Sequence, residues 1–221
     1  MTKNIYFTSL GSLTKSDMSK SINAFANILE KESSFPYFTT ARIWTAFITD
    51  KFYYKTIYNY KLGYLNTSEF KTQISYQLGI KESSEFEPAW NAMCELSKET
   101  LTQIINIFQQ HKTLCIISAT NPLQYDYVVK QINQELTNNN LPKIENNPDI
   151  TIVTSFEEHY SSLSELDKIA INEHNWDSHE YSIISYNNRL TKENLELQNA
   201  EFIYDPEQKL LHFHGENNPE L

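Results

Sequence analysis

Glycine is scarce in this sequence, and long apolar runs are missing. Only four glycines occur among 221 residues, and the sequence contains no G-x-x-x-x-G-K motif, so no glycine-rich phosphate loop is expected. No window approaches the roughly 20 apolar residues of a membrane-spanning helix, and the first residues lack the apolar segment of a signal peptide. These absences argue against a P-loop nucleotide site and predict a cytoplasmic protein.

Cysteine is also rare, and acidic residues outnumber basic ones. Cys94 in a helical pattern and Cys115 in an apolar run stand at no metal-ligand spacing, so we interpret both as small buried side chains and expect neither a disulfide nor a metal site. The formal net charge is -10, with no basic run. Such a field repels phosphate backbones and anionic lipid, which argues against nucleic-acid and membrane partners and favours a basic or neutral one.

An apolar run at residues 114–117 is the stretch around which the chain is organised. Its length and β-branched content predict a strand buried on both faces. Pro122, with apolar residues at every fourth position behind it, predicts that a helix follows a short polar loop. Ligands bind beyond the carboxyl ends of parallel strands, so this loop is expected to border a site. Its ligand-binding candidates are Ser118, Ala119, Thr120 and Asn121.

The remaining sequence places a helical part between strand patterns. The opening residues predict a first strand that lies beside the strand at 114–117, and apolar periodicity between the two predicts five helices. One of them is an aromatic-rich helix from about Thr40 to Leu62, with Gly63 as its stop signal. The next follows a capping-box spacing at residues 66–69 and is expected to stop at Gly79. Strands are predicted at residues 150–155, 181–185, 201–204 and 210–214, with helices near 163–170 and 192–197, and the last two strands are expected to form a hairpin across Asp205-Pro206. This order predicts an α/β fold with a parallel core.

Three segments carry a resemblance to a known family: residues 62–70 (LGYLNTSEF), 86–93 (FEPAWNAM) and 114–122 (LCIISATNP). They resemble, in order, the cap hairpin, the last cap helix and the second motif of the haloacid dehalogenase-like (HAD) hydrolase superfamily with a helical type 1 cap. The resemblance implies a HAD-like Rossmannoid core with a parallel sheet, built from residues 1–13 and 98–221. It also implies an inserted helical-bundle cap at residues 14–97.

The catalytic residues of that family do not carry over to this chain. The resemblance calls for an aspartate nucleophile and, two residues later, an acid–base aspartate at the end of the first strand, where this chain has Thr8 and Leu10. Neither side chain can form an acyl-phosphate or offer Mg²⁺ a carboxylate. The third motif's lysine is missing from residues 156–162, and the fourth motif's metal-binding acids are missing from residues 185–189. Only the second motif's hydroxyl is retained, as Ser118.

Each candidate residue near the strand ends also has a structural interpretation. Ser118 is either a retained phosphate donor or the N-cap of the helix at Pro122, and we favour the cap. Thr8 has no adjacent base, so we interpret it as a strand residue rather than a substitute nucleophile. Thr8 nevertheless remains a ligand-binding candidate, together with the loop at 118–121 and Asn187.

Two histidine-containing segments are open to a similar comparison. His212 and His214 alternate along a predicted terminal strand, a spacing that suits a metal, but no third ligand is identifiable, so we favour an edge-strand pair. Residues 157–159 form a polar segment near the expected site, and we favour a solvated face over a catalytic role.

The second predicted helix and its flanks carry more aromatic side chains than one buried stripe along a helix can accommodate. One interpretation is that they pack both within the cap and on the core. The other is that some of them form an exposed protein-binding patch, because aromatic residues are enriched at interface hot spots. They are Trp44, Phe47, Phe52, Tyr53, Tyr54, Tyr58, Tyr60 and Tyr64.

The sequence therefore predicts a catalytically inactive HAD-like protein, a pseudoenzyme that binds a protein partner through the cap or the strand-end cleft without a cofactor. One alternative is a HAD-like hydrolase of small phosphorylated or halogenated substrates, with Mg²⁺ and a rearranged site that keeps Ser118. Another is a non-catalytic binder of a small ligand in the cleft between cap and core. Mg²⁺ dependence distinguishes the enzyme from the other two, and burial of the cap aromatics distinguishes the ligand binder from the protein binder.

Overall fold

The structure, a computed structural model, describes residues 4–32, 40–41, 43–45, 51–81, 84–110, 112–160, 162–176, 180–184, 200–205 and 210–211. Several predictions therefore lie outside the described residues. They concern Asn187, His212, His214, Phe47 and the short helix at 192–197.

A six-stranded sheet forms the core, in the order β5-β4-β1-β6-β7-β8. The five strands from β5 to β7 run parallel, and β8 is antiparallel to β7. The predicted parallel sheet is confirmed, as are the placement of the first strand beside β4 and the hairpin of the last two strands. The strands are β1 (Asn4–Ser9), β2 (Thr14–Ser16), β3 (Cys94–Leu96), β4 (Leu114–Ser118), β5 (Ile150–Thr154), β6 (Glu180–Ile184), β7 (Ala200–Asp205) and β8 (Leu210–Leu211).

Helices pack on both faces of the sheet, and α2 to α5 lie between β2 and β3 in the chain. None of the described helices is long and apolar enough to cross a bilayer. They are α1 (Leu10–Leu13), α2 (Met18–Glu32), α3 (Lys51–Lys61), α4 (Thr67–Leu78), α5 (Phe86–Asn91), α6 (Lys98–Gln109), α7 (Pro122–Asn138), α8 (Ser155–Glu158) and α9 (Leu163–His174), with a 3₁₀ turn at Ile144–Asn146.

A helical insertion, which we define as residues 18–91, contains α2 to α5 and leaves the core between β2 and β3. These two short strands pair antiparallel, with Thr14 opposite Leu96 and Ser16 opposite Cys94. The pairing brings the two ends of the insertion together. The division of the chain at residues 14 and 97 into two domains stays a prediction.

Local sequence signals explain where several helices begin and end. Asn66 forms the predicted capping box of α4: its side chain accepts a hydrogen bond from the backbone N–H of Glu69, and the Glu69 carboxylate accepts one from the backbone N–H of Asn66. Gly79 ends α4 in the left-handed conformation, at φ 72°. Pro122 occupies the first turn of α7, where its missing N–H costs nothing.

The core consists of three apolar clusters. Every residue of β4 is buried: Leu114 and Ile116 pack on the side of α6 and α7, and Cys115 and Ile117 pack on the side of α9. The prediction of a strand buried on both faces is thereby confirmed. The third cluster lies mostly inside the insertion, where stacked and edge-on aromatic rings meet, and it also includes Met93 and Leu123. Its largest fully or nearly fully buried side chains are Phe25, Tyr60, Phe70, Phe86 and Trp90.

Two elements differ from the sequence prediction. Cys94 begins the short strand β3 rather than lying in a helix, because it pairs with Ser16 across the base of the insertion. Ser155 begins α8 instead of ending β5, because Thr154 caps that helix by accepting the backbone N–H of Glu157. Both cysteines are free thiols, and burial raises the pKa of Cys94 to about 11.

Candidate functional site

Hydroxyl side chains line the carboxyl ends of three neighbouring strands. Ser118 at the end of β4 lies opposite Thr154 at the end of β5, and Ser9 at the end of β1 lies opposite Ile117. Ser9, Ser118 and Thr154 are each at most 3% exposed. The fold thus brings strand ends from three parts of the chain to one edge, where ligands bind in open parallel sheets. In this protein Ser9, Ser118 and Thr154 at that edge are buried rather than open to solvent.

The two positions at the end of β1 that the resemblance assigns to catalysis hold side chains of the core. Thr8 is fully buried between β4 and β6, opposite Ile116 and Ile184. Leu10 begins α1 and packs with Leu13 in the apolar cluster beneath α6 and α7. Neither residue projects a polar group into an open site.

The donors at this edge do not fit a Mg²⁺ ion. Mg²⁺ in proteins is held through carboxylates and water, and the end of β1 offers Thr8, Ser9 and Leu10 instead. Within the part of the chain that the structure describes, no three His, Cys, Asp or Glu side chains are grouped as metal ligands.

Ser118 does not cap α7, so the favoured interpretation of this residue was wrong. The cap is Asn121, whose Oδ1 accepts the backbone N–H of Gln124 at 3.1 Å. Pro122 fixes the first turn, so the cap falls on the residue directly before it, whereas Ser118 still belongs to the strand. The Ser118 Oγ is buried and has no hydrogen-bond partner among the described residues.

The other polar groups of the loop after β4 bond to each other and to the insertion. Gln124 Oε1 accepts hydrogen bonds from Thr120 Oγ1 and from Asn121 Nδ2, each at 2.8 Å. Asn121 Oδ1 also accepts the indole N–H of Trp90 at 3.3 Å. Ala119 packs, partly buried, against the sheet cluster on the α9 side. Thr120 and Asn121 are therefore engaged in hydrogen bonds within the protein.

Helix α3 of the insertion packs directly against the core at the start of α7. The Tyr60 hydroxyl accepts the backbone N–H of Leu123 at 3.1 Å and lies 3.0 Å from the hydroxyl of Thr67. Burial raises the pKa of Tyr60 to about 12. This contact and the Trp90–Asn121 hydrogen bond place two large rings of the insertion against the loop after β4.

The end of α3 contacts the start of α8. Ser155 Oγ lies 2.9 Å from the carbonyl oxygens of both Lys61 and Thr120, and its one proton serves both acceptors. His159 Nδ1 lies 2.6 Å from the carbonyl oxygen of Leu62. We call the set of contacts made by Tyr60, Lys61, Leu62, Gly63 and Trp90 with residues 120–123 and 155–159 the insertion–core seam.

Gly63 permits the closest approach in the seam. It adopts φ 74°, and a Cβ atom built on it would lie 2.1 Å from the carbonyl oxygen of Phe156. Only glycine suits such a position, because an L side chain would be strained by the backbone conformation and would overlap the neighbouring chain. The sequence signal marked Gly63 as a helix stop, but nothing local indicates the contact with Phe156.

A cavity of about 120 Å³ remains beside the site, between the β2–β3 pair and α7. Its lining includes Leu10, Thr14, Cys94, Thr120 and Gln124, and it contains no acidic side chain. A cavity of this size holds a few water molecules and is smaller than the roughly 300 Å³ at which ligand pockets begin.

The polar segment after β5 is ordered by its own contacts. Glu157 lies in α8 and accepts a hydrogen bond from Thr154 Oγ1 at 2.7 Å, and His159 follows at φ 61° with its ring stacked on Tyr64. Glu157 and His159 are exposed, and Glu158 is partly buried.

Of the aromatic residues of the second predicted helix, one is buried as internal packing requires, and several are exposed as a protein-binding patch requires. Tyr60 is fully buried in the insertion. Trp44 and Tyr64 are 37% and 61% exposed, and Tyr54 and Tyr58 are 64% and 50% exposed. The side chains of Phe52 and Tyr53 lie outside the described part.

Comparison with known proteins identifies the fold. The sequence matches no protein-family model and no curated protein. The structure is similar to that of the HAD family enzyme BT-2542 from Bacteroides thetaiotaomicron in its magnesium complex, with TM-score 0.64, 17% identity and coverage of 91% of both chains. A mutant of that enzyme in complex with magnesium and inorganic phosphate gives TM-score 0.63 and 16% identity over 90% of this chain and 92% of the other.

A HAD-like family hydrolase from Porphyromonas gingivalis is similar as well, with TM-score 0.59, 18% identity and coverage of 83% of this chain and 82% of the other. The chain thus has the α/β fold of HAD-like hydrolases. The predicted fold is confirmed.

Proposed function

We propose that this protein is a catalytically inactive representative of the HAD-like fold that acts by binding a protein partner. The observation that carries this proposal is the burial of the residues at the strand ends. Thr8, Leu10 and Ser118 are all at most 1% exposed, and rings of the insertion are hydrogen-bonded to the loop beside them. A substrate reaches Thr8 or Ser118 only if the residues that bury them move.

The chemistry of the available side chains supports the same proposal. Phosphoryl or halide transfer in this fold needs an ionised nucleophile, and a hydroxyl needs an adjacent base to serve as one. Thr8 is fully buried between β4 and β6, and the Ser118 Oγ has no hydrogen-bond partner among the described residues. Magnesium and phosphate are bound by a mutant of the Bacteroides enzyme. We carry neither over to this chain, because the end of β1 offers no carboxylate.

Binding of a protein is favoured over binding of a small ligand by where the open surface lies. Among the described residues, the cavity beside the loop after β4 measures about 120 Å³, whereas tyrosines of the insertion are half or more exposed. Exposed aromatic rings contribute strongly to protein interfaces. A partner surface therefore has more to contact on the insertion than a small molecule has in the cleft.

The test is phosphate release from a panel of small phosphomonoesters, and halide release from haloacids, each with and without Mg²⁺. The wild type is compared with Thr8→Ala and Ser118→Ala, and circular dichroism confirms that all three are folded. We expect no turnover above the buffer rate for any protein, with or without the metal. Mg²⁺-dependent turnover that disappears in Ser118→Ala would establish the hydrolase alternative in place of this proposal.

A further inference from the structure

The outer face of helix α3 combines two exposed tyrosines with a lysine. Tyr54 and Tyr58 are 64% and 50% exposed, and Lys55 is exposed beside them. Residues three and four positions apart share one face of a helix, so these three side chains form a continuous surface. The opposite face of the helix is anchored, since Thr56 and Tyr60 are buried. We call Tyr54, Lys55 and Tyr58 the α3 outer face.

The sequence around α3 carries a charge opposite to that of the whole chain. Between residues 40 and 65 there are four basic residues and one acidic residue, although the protein as a whole carries -10. Helix α3 itself contains three lysines and no carboxylate. They are Lys51, Lys55 and Lys61.

Lys55 differs from three other lysines of the insertion in its ion pairing with the residues that the structure describes. Lys20, Lys31 and Lys71 form ion pairs of 2.6 to 3.0 Å with glutamates. Lys55 forms no ion pair with any residue that the structure describes. Its charge is therefore available to a carboxylate supplied from outside.

We infer that the α3 outer face binds an acidic segment of a protein partner, in which carboxylates flank an apolar side chain. The lysine supplies the complementary charge, and the two tyrosine rings supply apolar contact with a hydroxyl at the rim, a combination typical of interface hot spots. The net charge of -10 favours a basic or neutral partner for the molecule as a whole, and the inference departs from that expectation because α3 contains three lysines and no carboxylate. A segment with two or three carboxylates meets less repulsion than a long polyanion such as RNA. This inference rests on the proposed function and specifies its partner.

Selection from a random 12-residue peptide library displayed on phage tests the inference. The full-length protein is the bait, and the eluted pool is depleted on the double variant Tyr54→Ala/Tyr58→Ala. We expect the retained peptides to be enriched in Asp and Glu around one or two apolar residues. The most enriched peptide is then labelled, and its affinity is measured by fluorescence anisotropy at two salt concentrations.

Matched variants assign the binding to this face. The double tyrosine variant and Lys55→Glu should each weaken peptide binding by about tenfold or more, the effect expected of a hot spot. Tyr76→Ala, at an 87% exposed tyrosine of α4, and Lys130→Glu, at an exposed lysine of α7, should leave the affinity within about twofold. Higher salt should weaken wild-type binding more than that of Lys55→Glu.

Several results would overturn the inference. One is selection of peptides without acidic enrichment, and another is binding by the α3 variants as tight as by the wild type. A third is tighter binding of poly(U) RNA than of the selected peptide. The last is a wild-type dimer in light scattering that the α3 variants do not form, while the control variants still form it. The enzyme assay keeps the two proposals apart. Mg²⁺-dependent turnover defeats the proposed function whatever the peptides show, and failure of the peptide selection without turnover defeats only the partner assignment.

Discussion

Two serines at neighbouring strand ends have opposite surroundings. Ser118 Oγ is buried without a partner among the described residues, whereas Ser155 Oγ serves carbonyl groups from both the insertion and the core. A buried hydroxyl without a hydrogen bond destabilises the fold, and a satisfied one contributes about 1 kcal/mol. The serine that sequence reasoning selected is thus the one without a structural bond, and the serine it passed over joins the two parts of the molecule.

Gly63 should be far more sensitive to substitution than Gly11. Gly63→Ala adds a methyl group 2.1 Å from the Phe156 carbonyl oxygen at a positive φ, so we expect a loss of about 2–4 kcal/mol, from left-handed strain of about 1–2 kcal/mol and the overlap. Gly11→Ala, in helix α1 with no atom within 4 Å of the new Cβ, should be neutral or stabilising by up to about 1 kcal/mol.

Urea unfolding monitored by circular dichroism measures both glycine variants. Equal destabilisation by the two substitutions would show that Gly63 does not approach Phe156 as described.

The contact between α3 and α7 depends on the Tyr60 hydroxyl. Tyr60→Phe leaves the backbone N–H of Leu123 without its acceptor, which should cost about 1–3 kcal/mol at neutral pH. Tyr76→Phe, at an 87% exposed position, should cost nothing measurable and serves as the control. Denaturant unfolding at pH 7 gives both values.

The stability that the Tyr60 hydroxyl contributes should depend on pH. The pKa of Tyr60 is raised from 10.0 to about 12 in the folded protein, so the unfolded chain ionises first as the pH rises. The stability supplied by the neutral hydroxyl is complete below pH 10 and is lost between pH 10 and 12. The difference in unfolding free energy between wild type and Tyr60→Phe should therefore be constant up to about pH 10 and shrink above it. A difference that grows above pH 10 would contradict this placement of Tyr60.

Elements with a local signal were predictable, and elements made by distant pairing were not. The capping box at Asn66, the stop at Gly79 and the apolar content of β4 are written in adjacent residues, and the structure confirms them. β3 is only three residues long and exists because Cys94 pairs with Ser16, 78 residues earlier. A segment of three residues is too short to show an alternating apolar pattern, so the sequence does not predict such a strand.

The candidate site was predictable only in its position. The strand ends and the loop after β4 lie where the sequence places them, because carboxyl ends of parallel strands share one edge. The seam was missed, since Tyr60 and Leu123 are far apart in sequence and nothing near either residue signals their contact. The aromatic excess of α3 left two interpretations open, and Tyr60 follows one of them while Tyr54 is exposed as the other requires.

The insertion and the sheet should unfold together, because they are joined by hydrogen bonds that Trp90 and Ser155 donate and by one that the Tyr60 hydroxyl accepts. Hydrogen exchange followed by mass spectrometry under increasing denaturant measures this for α4 in the insertion and β4 in the core. We expect the slowest amides of both elements to report the same free energy of opening. In Gly63→Ala, α4 should exchange at a lower free energy than β4. Separate values in the wild type would mean that the seam does not couple the two parts.

The position of β1 in the sheet has a consequence for synthesis on the ribosome. β1 lies in the interior of the sheet, but its neighbours β4 and β6 begin 110 and 176 residues after the start of β1. At about 5–20 residues per second, the nascent strand waits roughly 6–20 s for β4 and longer for β6. The helical insertion emerges within that interval and contains its own apolar cluster. During synthesis, an apolar strand with both edges unpaired is therefore exposed to chaperones and to neighbouring nascent chains until β4 has emerged.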